Sequence, residues 1–324
     1  VGVEVVGDER RPERKLAFDP PSSEDVAVPD VQPIAVPDGN GPLDRLLGIL
    51  DLEQVERDLF RGQSPAESAP RVFGGQVAAQ ALVAATRTVE DKEVHSLHAY
   101  FLRPGDPRRP IVYEVDRIRD GRSYTTRRVV AVQAGKAIFN LQASFHRGGE
   151  SGFEHQVDAP VGIPEPESLR PAGNHQRLFR SLPPSFLHTV RPIDTRFVPD
   201  HGRFARYMWM RANGTLGDDV TLHRCIAAYA SDLSLLPTAM LPHGWPDVEP
   251  GMLASLDHAM WFHRPFRADE WLLYEQESAS ATGGRAMCRG RIWTREGALA
   301  VSVAQEGVVR PGSDGPGPDV LSSS

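Results

Sequence analysis

Three polar side chains sit where their surroundings do not call for them. Asp232 closes the run AAYAS, Ser255 opens SLDHAMWFHRP, and Gln305 interrupts an apolar strand pattern. A carboxylate, a hydroxyl and an amide could hold and polarise a water, with the carboxylate taking its proton. Each also has a plainer reading. Gln305 continues the phase of Leu299, Val301 and Val303, so its amide is either buried and needs partners, or marks the strand end. Asp232 lies beside an apolar helix stripe, where carboxylates usually face solvent. Ser255 alone says nothing. Asp257 and His258 form a second tempting pair, but neighbours in a continuous strand point to opposite faces. That places Ser255, Asp257, Ala259 and Trp261 on one face and His258 on the other. The chain has no GxSxG elbow, its histidines lack metal-ligand spacing, and Cys225 and Cys288 are far apart. Neither a serine-hydrolase triad nor a metal site is expected.

The elements around these residues occur twice. RVFGGQVAAQALVAATRTV reads as an Ala-rich helix with Gly74 and Gly75 at its start, which allows close backbone approach and leaves amide N–H groups pointing outward. Four strand candidates follow, about His95–Leu102, Ile111–Ile118, Ser123–Val132 and Ala137–Phe145, separated by turn residues. Later, Asp218 or Asp219 can cap a second helix, whose stripe of Leu222, Ile226, Tyr229, Leu233 and Leu236 predicts that it runs to Pro237. Four more strands are expected, about Leu253–His263, Glu270–Ser278, Ala286–Thr294 and Leu299–Val309.

AYFLRP at Ala99 parallels MWFHRP at Met260, an offset of 161 residues, and the last strands, after Gly135 and Gly297, are offset by 162. The repeat predicts an α+β fold of two tandem hotdog units, each a curved antiparallel sheet wrapped around a central helix and paired about a pseudo-twofold. The expected division is a disordered extension over 1–42, a first hotdog over 43–147, a linker over 148–200, a second hotdog over 201–310 and a disordered tail over 311–324. Matching AAQALV to AAYASD sets Val83 opposite Asp232; the strand offsets set Val94 opposite Ser255 and Ala143 opposite Gln305. All three counterparts are apolar, so one complete site per chain is expected, near the seam.

A formal net charge of −7 and a pI near 5.9 argue against nucleic acid or an anionic membrane as partner. No apolar run approaches a membrane span, the first residues lack a signal-peptide core, and the final DVLSSS is not a Ser-Lys-Leu address. Two cysteines fit free thiols in a reducing compartment, so a cytoplasmic location is expected. Hotdog sheets pair edge to edge, so a homodimer or homotetramer is expected too.

The chain resembles the type II acyl-CoA thioesterase family, the TesB type. The resemblance is carried by LFRGQS (Leu59–Ser64), VFGGQVAAQAL (Val72–Leu82), HSLHAYFLRPGD (His95–Asp106), WMRANG (Trp209–Gly214), AYASDLSLLP (Ala228–Pro237), LDHAMWFHRPF (Leu256–Phe266), EWLLYEQES (Glu270–Ser278) and AQEGVVR (Ala304–Arg310). It spans about residues 45 to 310. It implies hydrolysis of fatty acyl-CoA to a free fatty acid and coenzyme A, with no cofactor and no covalent acyl-enzyme. The family's Asp, Thr or Ser, and Gln fall on Asp232, Ser255 and Gln305; many members carry Thr where this chain has Ser255. Gly74, Gly75, Gln76 and His258 are the expected substrate contacts, and Arg103, Arg264 and Arg285 could meet coenzyme A phosphates. A hotdog enoyl-CoA hydratase, a non-catalytic acyl-CoA binder and a thioesterase acting on carrier-protein substrates are the competing readings.

Overall fold

In a computed structural model, residues 34, 41–65, 71–171, 191–199, 202–244 and 250–311 are described. Most of the extension over 1–42 and of the tail, and residues 172–190 of the expected linker, lie outside them. The described chain opens with α1 (Pro42–Leu50), where Pro42 starts the helix and the Asp44 carboxylate accepts the Gly41 N–H at 2.7 Å. β1 (Glu53–Glu56) and β2 (Leu59–Gly62) follow as a hairpin. Then come α2 (Gly74–Thr86), β3 (Glu93–Phe101), β4 (Ile111–Asp120), β5 (Tyr124–Gln133) and β6 (Lys136–His146). The second half holds β7 (Ile193–Phe197), β8 (Ala205–Ala212), α3 (Val220–Ser231), a 3-10 helix (Leu236–His243), β9 (Pro250–Ser255), β10 (Asp257–Phe262), β11 (Leu272–Thr282), β12 (Arg285–Thr294) and β13 (Leu299–Pro311).

These strands form one antiparallel sheet in the order β1-β2-β4-β5-β6-β3-β10-β13-β12-β11-β8-β7, with β9 also on β13. The order reads alike from either end, as two hotdog units joined through β3 and β10 require. The join fixes the axis. His98 stands opposite Ala259, its own repeat counterpart, and Leu97 opposite Met260 is repeated as Ala99 opposite His258. Such reciprocal contacts define a twofold interface. α2 is buried almost all round, as its Ala-rich sequence permits, and packs on β4, β5 and β6 and against α3.

Three expectations change. α3 ends at Ser231 rather than running on to just before Pro237; its last turn tightens, with the Leu233 N–H donating to the Ala230 carbonyl at 3.2 Å. The expected linker contains β7, paired with β8. Its earlier part crosses the outer face of the second half and covers Trp209, Trp271, Leu273 and Trp293 with Ala159, Ile163 and Leu169. Trp209 Nε1 donates to the Pro164 carbonyl at 2.9 Å, and Gln156 bonds Gly297 and Leu299.

The third change bears on the site. The strand expected over Leu253–His263 is broken at Leu256. Ser255 stands opposite Gly307 and Ala259 opposite Ala304, so the first strand carries one extra residue between these pairs. A bulge shifts the side-chain phase by one. Ser255 therefore shares its inward side with His258 and Met260 rather than with Ala259 and Trp261, and His258 and Met260 are buried while Trp261 is exposed.

Candidate active site

The bulge and the early end of α3 bring the three polar residues together. Asp232 caps the C-terminus of α3, Ser255 ends β9, and Gln305 faces inward from β13, fully buried behind Val301 and Val303. Gln305 Nε2 donates to Asp232 Oδ1 at 2.7 Å and to Ser255 Oγ at 3.0 Å. Gln305 Oε1 is buried with no partner among the described residues. Burial raises the Asp232 pKa to about 6, against hydrogen bonds from Gln305, the Gly75 N–H and Ser255, and the nearby Arg71 charge, all of which favour the anion. A carboxyl so placed changes charge near neutral pH and suits a general base.

The fourth wall is the start of α2, contributed by the other half. Its N-cap is Phe73, which offers no side-chain acceptor; the Gly75 N–H donates to Asp232 instead, while the Gln76 and Val77 N–H groups donate to the Phe73 carbonyl. Only glycines fit there. A Cβ on Gly74 would lie 2.7 Å from Asp232 Oδ2, and one on Gly75 would lie 2.5 Å from the Tyr229 carbonyl. Phe101, beside Gly74, and Phe73, edge-on to Tyr229, supply apolar surface next to the polar cluster.

Two expected contacts lie elsewhere. His258 is fully buried and its Nε2 bonds Ser231 Oγ at 2.9 Å; burial lowers its pKa to about 4, so the ring is neutral. It supports the end of α3. The Gln76 side chain is turned to the Gln63 carbonyl and Ser64 Oγ, at 3.1 and 3.0 Å, and so ties down the preceding loop. Arg103 donates to Ala137, Arg264 to Leu299 and His155, and Arg285 pairs with Glu306. Among the described residues no group of acidic, histidine or cysteine side chains could hold a metal ion, and no helix is long and apolar enough to cross a membrane. The sequence reading missed the contact between Asp232 and the first-half helix. The paired glycines were its signal.

A solved acyl-CoA thioesterase II of Mycobacterium marinum is 44% identical, with a TM-score of 0.71 over 83% of this chain and 99% of that one, which sets the molecule among double-hotdog proteins. A family model described as acyl-CoA thioesterase matches residues 188–308, and one described as acyl-CoA thioesterase N-terminal domain matches 63–146. Human acyl-coenzyme A thioesterase 8 is 44% identical over 81% of this chain and 88% of its own length. Acyl-CoA thioesterase 2 of Haemophilus influenzae is 38% identical over 83% and 98%. The chain belongs to the acyl-CoA thioesterase family, a family of thioester hydrolases.

Proposed function

We propose that the protein hydrolyses fatty acyl-CoA by direct attack of a water held by Asp232, Ser255 and Gln305. The observation that carries this reading is the shared Gln305 Nε2, which locks the acid and the hydroxyl on either side of one point. The unpartnered Gln305 Oε1 offers an acceptor for an O–H of that water. Ionised Asp232 takes the water's proton as its oxygen bonds the thioester carbonyl carbon. Charge on the carbonyl oxygen is met by the start of α2, where the Gly74 N–H lies beside the Gly75 N–H that holds Asp232. Collapse breaks the C–S bond, and the proton on Asp232 passes to the leaving thiolate. The products are a free fatty acid and coenzyme A, with no covalent acyl-enzyme.

A cytoplasmic location and self-association belong to the same proposal. Both cysteines are free and buried, which suits a reducing compartment. On the outer face of the central strands Tyr100 is 58% and Trp261 36% exposed, apolar surface that a second copy could cover.

Thiol release from butyryl- to stearoyl-CoA by the wild type and Asp232→Asn tests the reaction. Loss of nearly all turnover in the variant is expected. A wild type that binds acyl-CoA without cleaving any of the series, or a variant that keeps the full rate, overturns the reading.

A further inference from the structure

The bulge between β9 and β10 leaves a hydrogen-bonding problem at the backbone of Gln305. In a regular antiparallel ladder, facing residues in a hydrogen-bonded pair exchange both N–H···O bonds. Leu256 and Glu306 exchange only one. The Leu256 N–H donates to the Glu306 carbonyl at 2.9 Å, but the Leu256 carbonyl is turned across the seam to accept the Phe101 N–H at 2.9 Å. The Glu306 N–H thereby loses its strand partner, and an unpaired backbone donor inside a sheet is costly. Asp257 Oδ1 accepts it at 2.6 Å.

We propose that Asp257 is a positioning residue for hydrolysis: its carboxylate replaces the carbonyl that the bulge turns away and so fixes the backbone that aims Gln305 at Asp232 and Ser255. Glu306 lies between Gln305, which bonds both partners, and Gly307, which stands opposite Ser255. One carboxylate thus pins the peptide joining two walls of the site. The first half supports this by contrast. It carries the same bulge, between Val94 and Ser96, but its counterpart of Asp257 is Ser96, and Val94 and Ala143 stand where Ser255 and Gln305 would be. The carboxylate occurs in the half that has the polar trio.

This inference rests on the thioesterase reading, so the experiment first requires that the full-length wild type release thiol from acyl-CoA and that Gln305→Ala lose most of that rate. Failure at that step removes the trio. With it satisfied, kcat and KM are measured for Asp257→Ala, Asp257→Asn and Asp257→Glu, and for Asp257→Ala in the Gln305→Ala background. Removing the acceptor is expected to lower kcat roughly 10–100-fold with KM little changed, the scale of a small misplacement of a catalytic group. Asn keeps an acceptor at the same distance and should restore most of kcat. Glu keeps the charge but moves the acceptor, and should not. In the Gln305→Ala background the second change should add little, because both act through one amide. Three results overturn the proposal: Asp257→Ala at wild-type kcat, Asn falling as far as Ala, or full multiplication of the two losses. Should Asp257→Ala fail to fold, the Asn and Glu pair alone decides, since acceptor position and charge predict opposite rankings.

Discussion

At the bulge of the second half the inward residues are Ser255 and, across the ladder, Gln305; at the bulge of the first they are Val94 and Ala143. The helix ends differ as sharply. α3 stops at Ser231 with Asp232 as its cap, whereas α2 stops at Thr86 with Arg87, which pairs with Asp51 and the Leu52 carbonyl. At the opposite ends, α3 is capped by Asp219, which accepts the Thr221 N–H at 2.9 Å, while α2 starts uncapped from Phe73. The region of the first half that corresponds to the site is occupied by Arg224, bound to the Val94 carbonyl and paired with Glu93. One scaffold therefore supports two outcomes. Where helix donors are satisfied and the helix end is cationic, the structure is only held together. Where the helix start has no side-chain cap, the carboxylate that meets it comes from the other half of the chain and is raised in pKa by burial, the arrangement the proposed chemistry uses.

The comparison breaks most directly at the helix ends. Asp232→Asn should lower kcat on the order of 10²–10⁴-fold, the usual range for a lost general base. Arg87→Met, at the matching position, should leave kcat unchanged while lowering the melting temperature. Equal activity losses would show that the two helix ends do not differ in function. A smaller effect, about 10²-fold, is expected for Gly74→Ala. Alanine is ordinarily the better helix former, but here its Cβ would sit 2.7 Å from Asp232 Oδ2. A folded variant with intact kcat would remove α2 from the site.

The pH profile sharpens the same contrast. In the proposed reaction Asp232 works only when ionised, and burial pushes its pKa up to about 6. kcat/KM should therefore be flat above that value and fall about tenfold per pH unit below it. A wild type with a level acid limb would exclude Asp232 as the base.

The smallest effects belong to a pair of buried arginines. Arg127 reaches from β5 to the Thr88 carbonyl beyond α2, and Arg206 reaches from β8 to the Ser234 carbonyl beyond α3. Each opposes the negative end of a helix. Arg127→Met and Arg206→Met should each cost roughly 2–4 kcal/mol in denaturant unfolding. Only the second should also reduce kcat, severalfold, because Ser234 follows Asp232 so closely.

Much of this was legible in the chain. The repeat, the strand offsets and the polarity of Gln305 against Val301 and Val303 located the fold and one wall of the site, because strand phase is local. The bulge was not legible. The period-two rule assumes an unbroken ladder, and one extra residue at Leu256 reversed the expected faces of Ser255 and His258. The helix match slipped as well. Aligning the Ala-rich runs set Val83 opposite Asp232, whereas the helix ends set Arg87 there. The slip of four residues is about one helical turn, which keeps small residues on the same face and so leaves no trace in an apolar pattern. The contact between Asp232 and Gly74 joins residues far apart in the chain, and only the glycines hinted at it.

The reciprocal seam of His98 and Ala259 has a genetic corollary. In a homodimer of single hotdogs one codon would write both sites, so a valine placed at one would erase the serine at the other. Fusing the copies into one reading frame lets the duplicates diverge: the first repeat can give up a polar trio of its own while keeping the glycines that seat Asp232 of the second.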